Sequence, residues 1–234
     1  MKVCEEMLKK IEIGENNIPR YLDDFFSKYK KELEELSKKI ESGEIKPNNF
    51  IERVKRFSLC FGEFLENNNW KVYPQVSLRE PNNLPKDIFK NQETCSLVKI
   101  KFPSDLKHIY NKMKKIDFIA IQRQNKQVLF IEIKIYSELP KFFDAFLEFS
   151  MINTTILNDK YTKSFVVLSD YGGNIGQKNR PMELNNEFEF IRDVFKRSRL
   201  FIEEKVYFIL LDPEFLQMTI DTLNQVILQN SISV

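Results

Sequence analysis

Histidine is almost missing from this chain: His108 is the only one among 234 residues. That scarcity argues against histidine-rich nucleases, serine-hydrolase triads and multi-histidine metal centres. His108 itself reads as a surface or phosphate-facing side chain. Cysteine is scarce as well. Cys4, Cys60 and Cys95 are odd in number and scattered, with no CxxC pair, which fits reduced thiols and argues against a structural zinc site. No apolar run approaches the ~20 residues needed to cross a bilayer. The opening stretch Met1-Lys2-Val3-Cys4-Glu5-Glu6 becomes charged at once, without the apolar run of a signal peptide. An intracellular, cytoplasmic protein with no membrane partner is expected. Net charge is only +2, so bulk electrostatics announce no nucleic-acid partner. The chain also lacks internal repeats, low-complexity tracts and a Gly-x-x-x-x-Gly-Lys-Ser/Thr phosphate loop.

What is present points to a folded core. Apolar residues make up 42% of the chain and 21 of them are phenylalanine, which excludes a disordered composition. Arg20 to Glu41 carries Leu22, Phe25, Phe26, Tyr29, Leu33 and Leu36 at mainly three- and four-residue spacings, an amphipathic helix ended by Gly43 and Pro47. A second helix is expected after Asn48 or Asn49, with Phe50, Val54, Phe57, Phe61 and Phe64 as its apolar positions. Strands follow at Trp70–Leu78, Lys115–Ile121, Val128–Tyr136, Lys163–Asp170 and Val206–Leu211. Helices are predicted over Ser137–Asp159, over Glu187–Glu203 and from Asp212-Pro213 onward. Glu80 to Phe102, with Pro81 and Pro85, reads as an irregular insertion, with Leu97–Phe102 able to add a short strand.

One strand carries the chemistry. Val128-Leu129-Phe130-Ile131-Glu132-Ile133-Lys134-Ile135-Tyr136 has the apolar, β-branched and aromatic content of an interior strand. Side chains alternate along a strand, so Glu132 and Lys134 share a face with Val128 and Phe130. Charged groups are rarely buried unless paired or bound to a metal, so the pair asks for a site. Lys115-Ile116-Asp117-Phe118-Ile119-Ala120-Ile121 is the preceding strand, and Gln122 to Gln127 is short enough for a hairpin loop. The hairpin brings Asp117 and Glu132 to the same end. An ordinary hairpin with a solvent-facing Glu–Lys pair is the competing reading. Against it, the face shared with Val128 and Phe130 starts buried and turns polar only near the strand end.

Asp117, a spacer, then Glu132-x-Lys134 resembles the PD-(D/E)xK nuclease superfamily, with Ile116 where the motif has proline. The similarity extends from about position 50 to 170. Phe61-Gly62-Glu63-Phe64 through Tyr73 looks like the helix, turn and first strand that open this fold, and Ser137 to Asp170 like its strand–helix–strand crossover. The resemblance implies an α/β, restriction endonuclease-like core, a mixed central sheet flanked by helices in αβββαβ order. It would occupy residues 49–234, behind an N-terminal helical extension at 1–48. It also implies a further acid on the first core helix, where Glu63 matches best and Glu66 is the alternative.

The chemistry follows from the residue types. Mg²⁺ takes oxygen ligands and keeps several waters, so two carboxylates suit it; Asp117 and Glu132 are expected as ligands, with Mn²⁺ as a substitute ion. The Ile133 carbonyl is a further ligand implied by the resemblance. Lys134 would orient the attacking water or stabilise the charged transition state, with Glu63 assisting. No organic cofactor is expected. A basic run including Lys112, Lys114 and Lys115 leads into Asp117, and the loop from Asp170 to Pro181 offers Lys178 and Arg180 as further nucleic-acid contacts. The expected function is a metal-dependent endodeoxyribonuclease on double-stranded DNA, of restriction (type II) kind and acting as a homodimer. The alternatives are a structure-selective nuclease of junction-resolvase or repair type, and a non-catalytic DNA-binding module of the same fold.

Overall fold

The computed structural model describes residues 5, 8, 9, 11, 18–46, 50–77, 115–135, 139–155, 161–170, 180–198, 205–214 and 216–228. The expected Leu97–Phe102 strand, His108, Cys4 and Cys95 lie outside them. A five-stranded sheet runs in the order β1 (Lys71–Ser77), β2 (Lys115–Gln122), β3 (Gln127–Ile133), β4 (Thr162–Ser169), β5 (Val206–Leu210). The first three strands are antiparallel neighbours; β3, β4 and β5 run parallel. This is a mixed α/β sheet, as the alternation of strand and helix patterns predicts.

Two apolar layers cover it. Side chains of β3 alternate between them, which fixes the register. Val128 and Phe130 join the cluster under α3 (Leu139–Thr155) and α4 (Arg180–Arg197). Leu129, Ile131 and Ile133 join the opposite cluster, built from α1 (Arg20–Glu41), α2 (Phe50–Asn67) and α5 (Gln217–Leu223). Helix α1 forms because Leu22, Phe25, Phe26, Tyr29, Leu33, Leu36 and Ile40 make one continuous buried stripe. It stops where Gly43 takes φ +77°, a left-handed conformation that glycine enters without strain. Phe25 and Tyr29 of α1 meet Phe57 of α2 edge-on, with ring centroids 5.8 and 5.3 Å apart.

Below these rings sits a buried polar knot. Arg53 of α2 donates to Asp170, just past β4, from Nε at 3.2 Å and Nη2 at 2.7 Å. The Tyr29 hydroxyl donates to the same carboxylate oxygen at 2.5 Å. Burial first, then the neighbouring Asp170 carboxylate, holds the Tyr29 hydroxyl well above the usual tyrosine range, so it stays a donor.

Several boundaries differ from expectation. Strand β3 ends at Ile133, three residues before Tyr136: β2 has already left it after Ile131, and its pairing with β4 stops at Ile133↔Leu168. Helix α4 begins seven residues early, at Arg180. Leu184, Phe188, Ile191 and Phe195 supply its buried stripe, and Pro181 is tolerated in the first turn. The C-terminal helix starts at Gln217, with a π-helical turn at Asn224–Leu228. Buried Asp212, expected to open that helix, instead accepts the Glu214 N–H at 3.0 Å.

Candidate active site

The antiparallel ladder between β2 and β3 runs from Gln122↔Gln127 to Phe118↔Ile131 and goes no further. One more step would set Asp117 opposite Glu132. The strands part instead, and the Asp117 side chain fills the gap. Its Oδ2 accepts the Ile133 N–H at 2.8 Å, a donor that a longer ladder would give to a backbone carbonyl. Asp117 Oδ1 accepts from Gln75 Nε2 at 3.0 Å. Gln75 reaches it from a distorted point of β1. Pairing passes from Pro74↔Phe118 to Val76↔Ile116, and Gln75 between them has φ +50°. That conformation costs a non-glycine residue about 1–3 kcal/mol and tends to gather at functional sites.

Glu132 is 3% exposed, on the face of β3 that also buries Val128 and Phe130. Lys134 follows the last strand residue, and its backbone is clamped to β4. The Lys134 N–H donates to Leu168 O at 2.9 Å, and Ser169 Oγ donates to Lys134 O at 2.7 Å. From that anchor Lys134 Nζ donates to Glu132 Oε2 at 2.8 Å. It also stands 3.7 Å from Glu148 Oε2, on α3. The Glu148 and Glu132 carboxyls are within hydrogen-bonding reach of each other.

Three acids, Glu132, Glu148 and Asp117, therefore act on one ammonium. Burial pushes the Glu132 carboxyl well above the usual range; Lys134 opposes this, while Glu148 and Asp117 add to it. Burial likewise raises Glu148 against the pull of Lys134, with Asp117 and Asp144 reinforcing the shift. For Lys134 burial alone would lower the ammonium, but Glu132, Glu148 and Asp117 outweigh it and hold the side chain above an ordinary lysine.

Glu63 sits on the other side. It is half-exposed on α2, paired with Lys28. With Glu66, Gln75 and Asp117 it lines a largely apolar groove of about 970 Å³ between α2 and β1. Asp117 is the residue common to that groove and to the Glu132 neighbourhood. Of the expected nucleic-acid contacts, Lys115 opens β2 opposite Ser77 and Arg180 opens α4. Lys112, Lys114 and Lys178 lie outside the described residues. Glu148, Gln75 and Ser169 were not predicted from sequence. Glu148 is spaced four residues from Asp144, the pattern of a solvated helix edge, and only the fold turns it inward.

Among the described residues no three or more His, Cys, Asp or Glu side chains are grouped to enclose a metal ion. A hard cation such as Mg²⁺ asks for less, one or two carboxylates with water completing the shell. The donor set fits that demand. Glu132 Oε1 is buried without a hydrogen-bond partner. The Ile133 carbonyl leaves the strand on the same edge as its N–H, toward Asp117, as an extended residue must. Comparison with known proteins returns no matching family model, no matching curated protein and no matching solved structure.

Proposed function

We propose that this chain is a metal-dependent endodeoxyribonuclease that hydrolyses phosphodiester bonds of double-stranded DNA, a restriction-type enzyme working as a homodimer. The observation that carries the reading is the buried Glu132–Lys134 pair, beside an Asp117 carboxylate wedged where β2 and β3 part. Two acids and a lysine converge at a strand end, and the acids offer the oxygen donors that a hard cation takes.

In this reading Asp117, Glu132 and the Ile133 carbonyl hold Mg²⁺ or Mn²⁺. The ion supplies Lewis acidity and lowers the pKa of its water. The Ile133 N–H and Gln75 fix the Asp117 carboxylate, so it presents its remaining lone pairs without reorganising. Lys134 brings a protonated ammonium against the non-bridging oxygens of the phosphate, where negative charge grows in the transition state. Ser169 and β4 hold the Lys134 backbone while its side chain reaches. The core around this site is that of a PD-(D/E)xK nuclease, in the same reading.

The test is incubation with mixed plasmid and phage DNA with Mg²⁺ or with EDTA. Discrete Mg²⁺-dependent fragments are expected. A smear, or preference for branched DNA, would move the assignment to a structure-selective nuclease.

A further inference from the structure

Glu148 belongs to no part of the Asp–Glu-x-Lys pattern, yet it faces the same charge. Its side chain is 17% exposed and stands 3.7 Å from Lys134 Nζ. Lys134 covers one oxygen of Glu132, Oε2, at 2.8 Å. Glu132 Oε1 and Glu148 Oε2 are both buried without a hydrogen-bond partner. Buried polar atoms are normally satisfied, and two carboxyls within hydrogen-bonding reach of each other need either a shared proton or a cation between them. An acid that reaches the Glu132 carboxyl from α3, and a buried Glu132 oxygen with no donor, together describe a place for positive charge. Lys134 supplies part of that charge, and two carboxylates leave room for more.

We propose that Glu148 and Glu132 form a cation cradle in which the Lys134 ammonium and a divalent ion compete for the same carboxylates. The proposal rests on the metal-dependent reading above and adds a residue and a regulatory consequence to it. Oxygen donors of this kind select a hard ion such as Mg²⁺ or Mn²⁺. When the ion enters, Lys134 loses its hold on Glu132 and Glu148 and is freed toward a phosphate. Cation binding and availability of Lys134 are then linked, so the lysine is offered to substrate only in the loaded protein.

Mn²⁺ binding to the full chain, titrated by calorimetry and by electron paramagnetic resonance without DNA, tests this directly. Glu148→Gln is expected to weaken Mn²⁺ binding by about 10–100-fold, the range for losing a supporting group of a metal site. Lys134→Met is expected to tighten it, because the competing ammonium is gone. Near-UV circular dichroism checks that both variants keep the native fold. Wild-type affinity in Glu148→Gln, or weaker binding in Lys134→Met, would overturn the cradle. If Asp117→Asn lost Mn²⁺ while Glu148→Gln kept it, Glu148 would be dismissed and the metal-dependent reading would stand. No Mn²⁺ bound by the wild type would dismiss both.

Discussion

Asp117 ends one ladder and opens one site with the same side chain. Its carboxylate replaces a backbone acceptor for Ile133 and takes a second donor from Gln75, so its orientation is set before any substrate arrives. Gln75 holds a φ of +50° to make that contact. Gln75→Gly should therefore relieve strain of about 1 kcal/mol and lower cleavage together, a split readable from a thermal melt and a rate on the same sample. Glu132 gives a pH prediction with a definite sign. Burial raises its folded-state pKa, so its contribution is fully present below the ordinary carboxyl range of about 4.3 and is lost as pH rises through the raised value. Glu132→Gln mimics the protonated form. In EDTA, the stability difference between wild type and Glu132→Gln should shift toward the variant as pH rises above that range; a flat or opposite slope in urea melts would contradict it. Asp117, Glu132 and Lys134 could be picked from sequence because charges are costly in an apolar strand. Glu148 could not, because nothing in a helix sequence says which edge the sheet will cover.

At the scale of elements, the site exists because two pairings end in different places. β2 leaves β3 after Phe118↔Ile131, while β4 stays with it to Ile133↔Leu168. One edge of β3 is thus open beside Asp117, and the other is closed by Ser169. Continuous apolar, β-branched and aromatic content located β3, buried on both faces, and a three- and four-residue stripe located α1, buried on one. Neither signal placed the ends of β3 and α4, where strand pairing and the Leu184–Phe195 stripe decide. The Arg53–Asp170 pair also escaped sequence reading, being 117 residues apart along the chain. It ties α2 to the end of β4, next to the Ser169 that holds Lys134. Arg53→Ala leaves a buried carboxylate uncompensated and should cost about 3–5 kcal/mol, measurable by urea denaturation. A loss under about 1 kcal/mol would show that water replaces the guanidinium.

Across the whole molecule, α1 and α2 do not stand apart from the sheet. Their buried residues share one cluster with Ile131, Ile133, Leu168 and Ile209. Trp70, the single tryptophan, is buried between that cluster and the C-terminal turn, its indole donating to Ile227 O at 3.3 Å. Trp70 fluorescence and far-ultraviolet circular dichroism should therefore report coincident unfolding transitions; two separated midpoints would mean that the helical layer folds independently. Among the described residues no helix is long and apolar enough to cross a membrane. The coarse α/β architecture was legible because strand and helix periods alternate along the chain. The assignment of a reaction rests on a few charges at one strand end, and Lys134 is the most exposed to test. The decisive measurement is Mg²⁺-dependent cleavage of duplex DNA by wild type and by natively folded Lys134→Ala, side by side. Fragments from the wild type with at least a 100-fold loss in the variant, about the cost of removing one transition-state charge donor, are the predicted result. Equal cleavage by both proteins, or none by the wild type on duplex, branched and single-stranded DNA, would contradict the account.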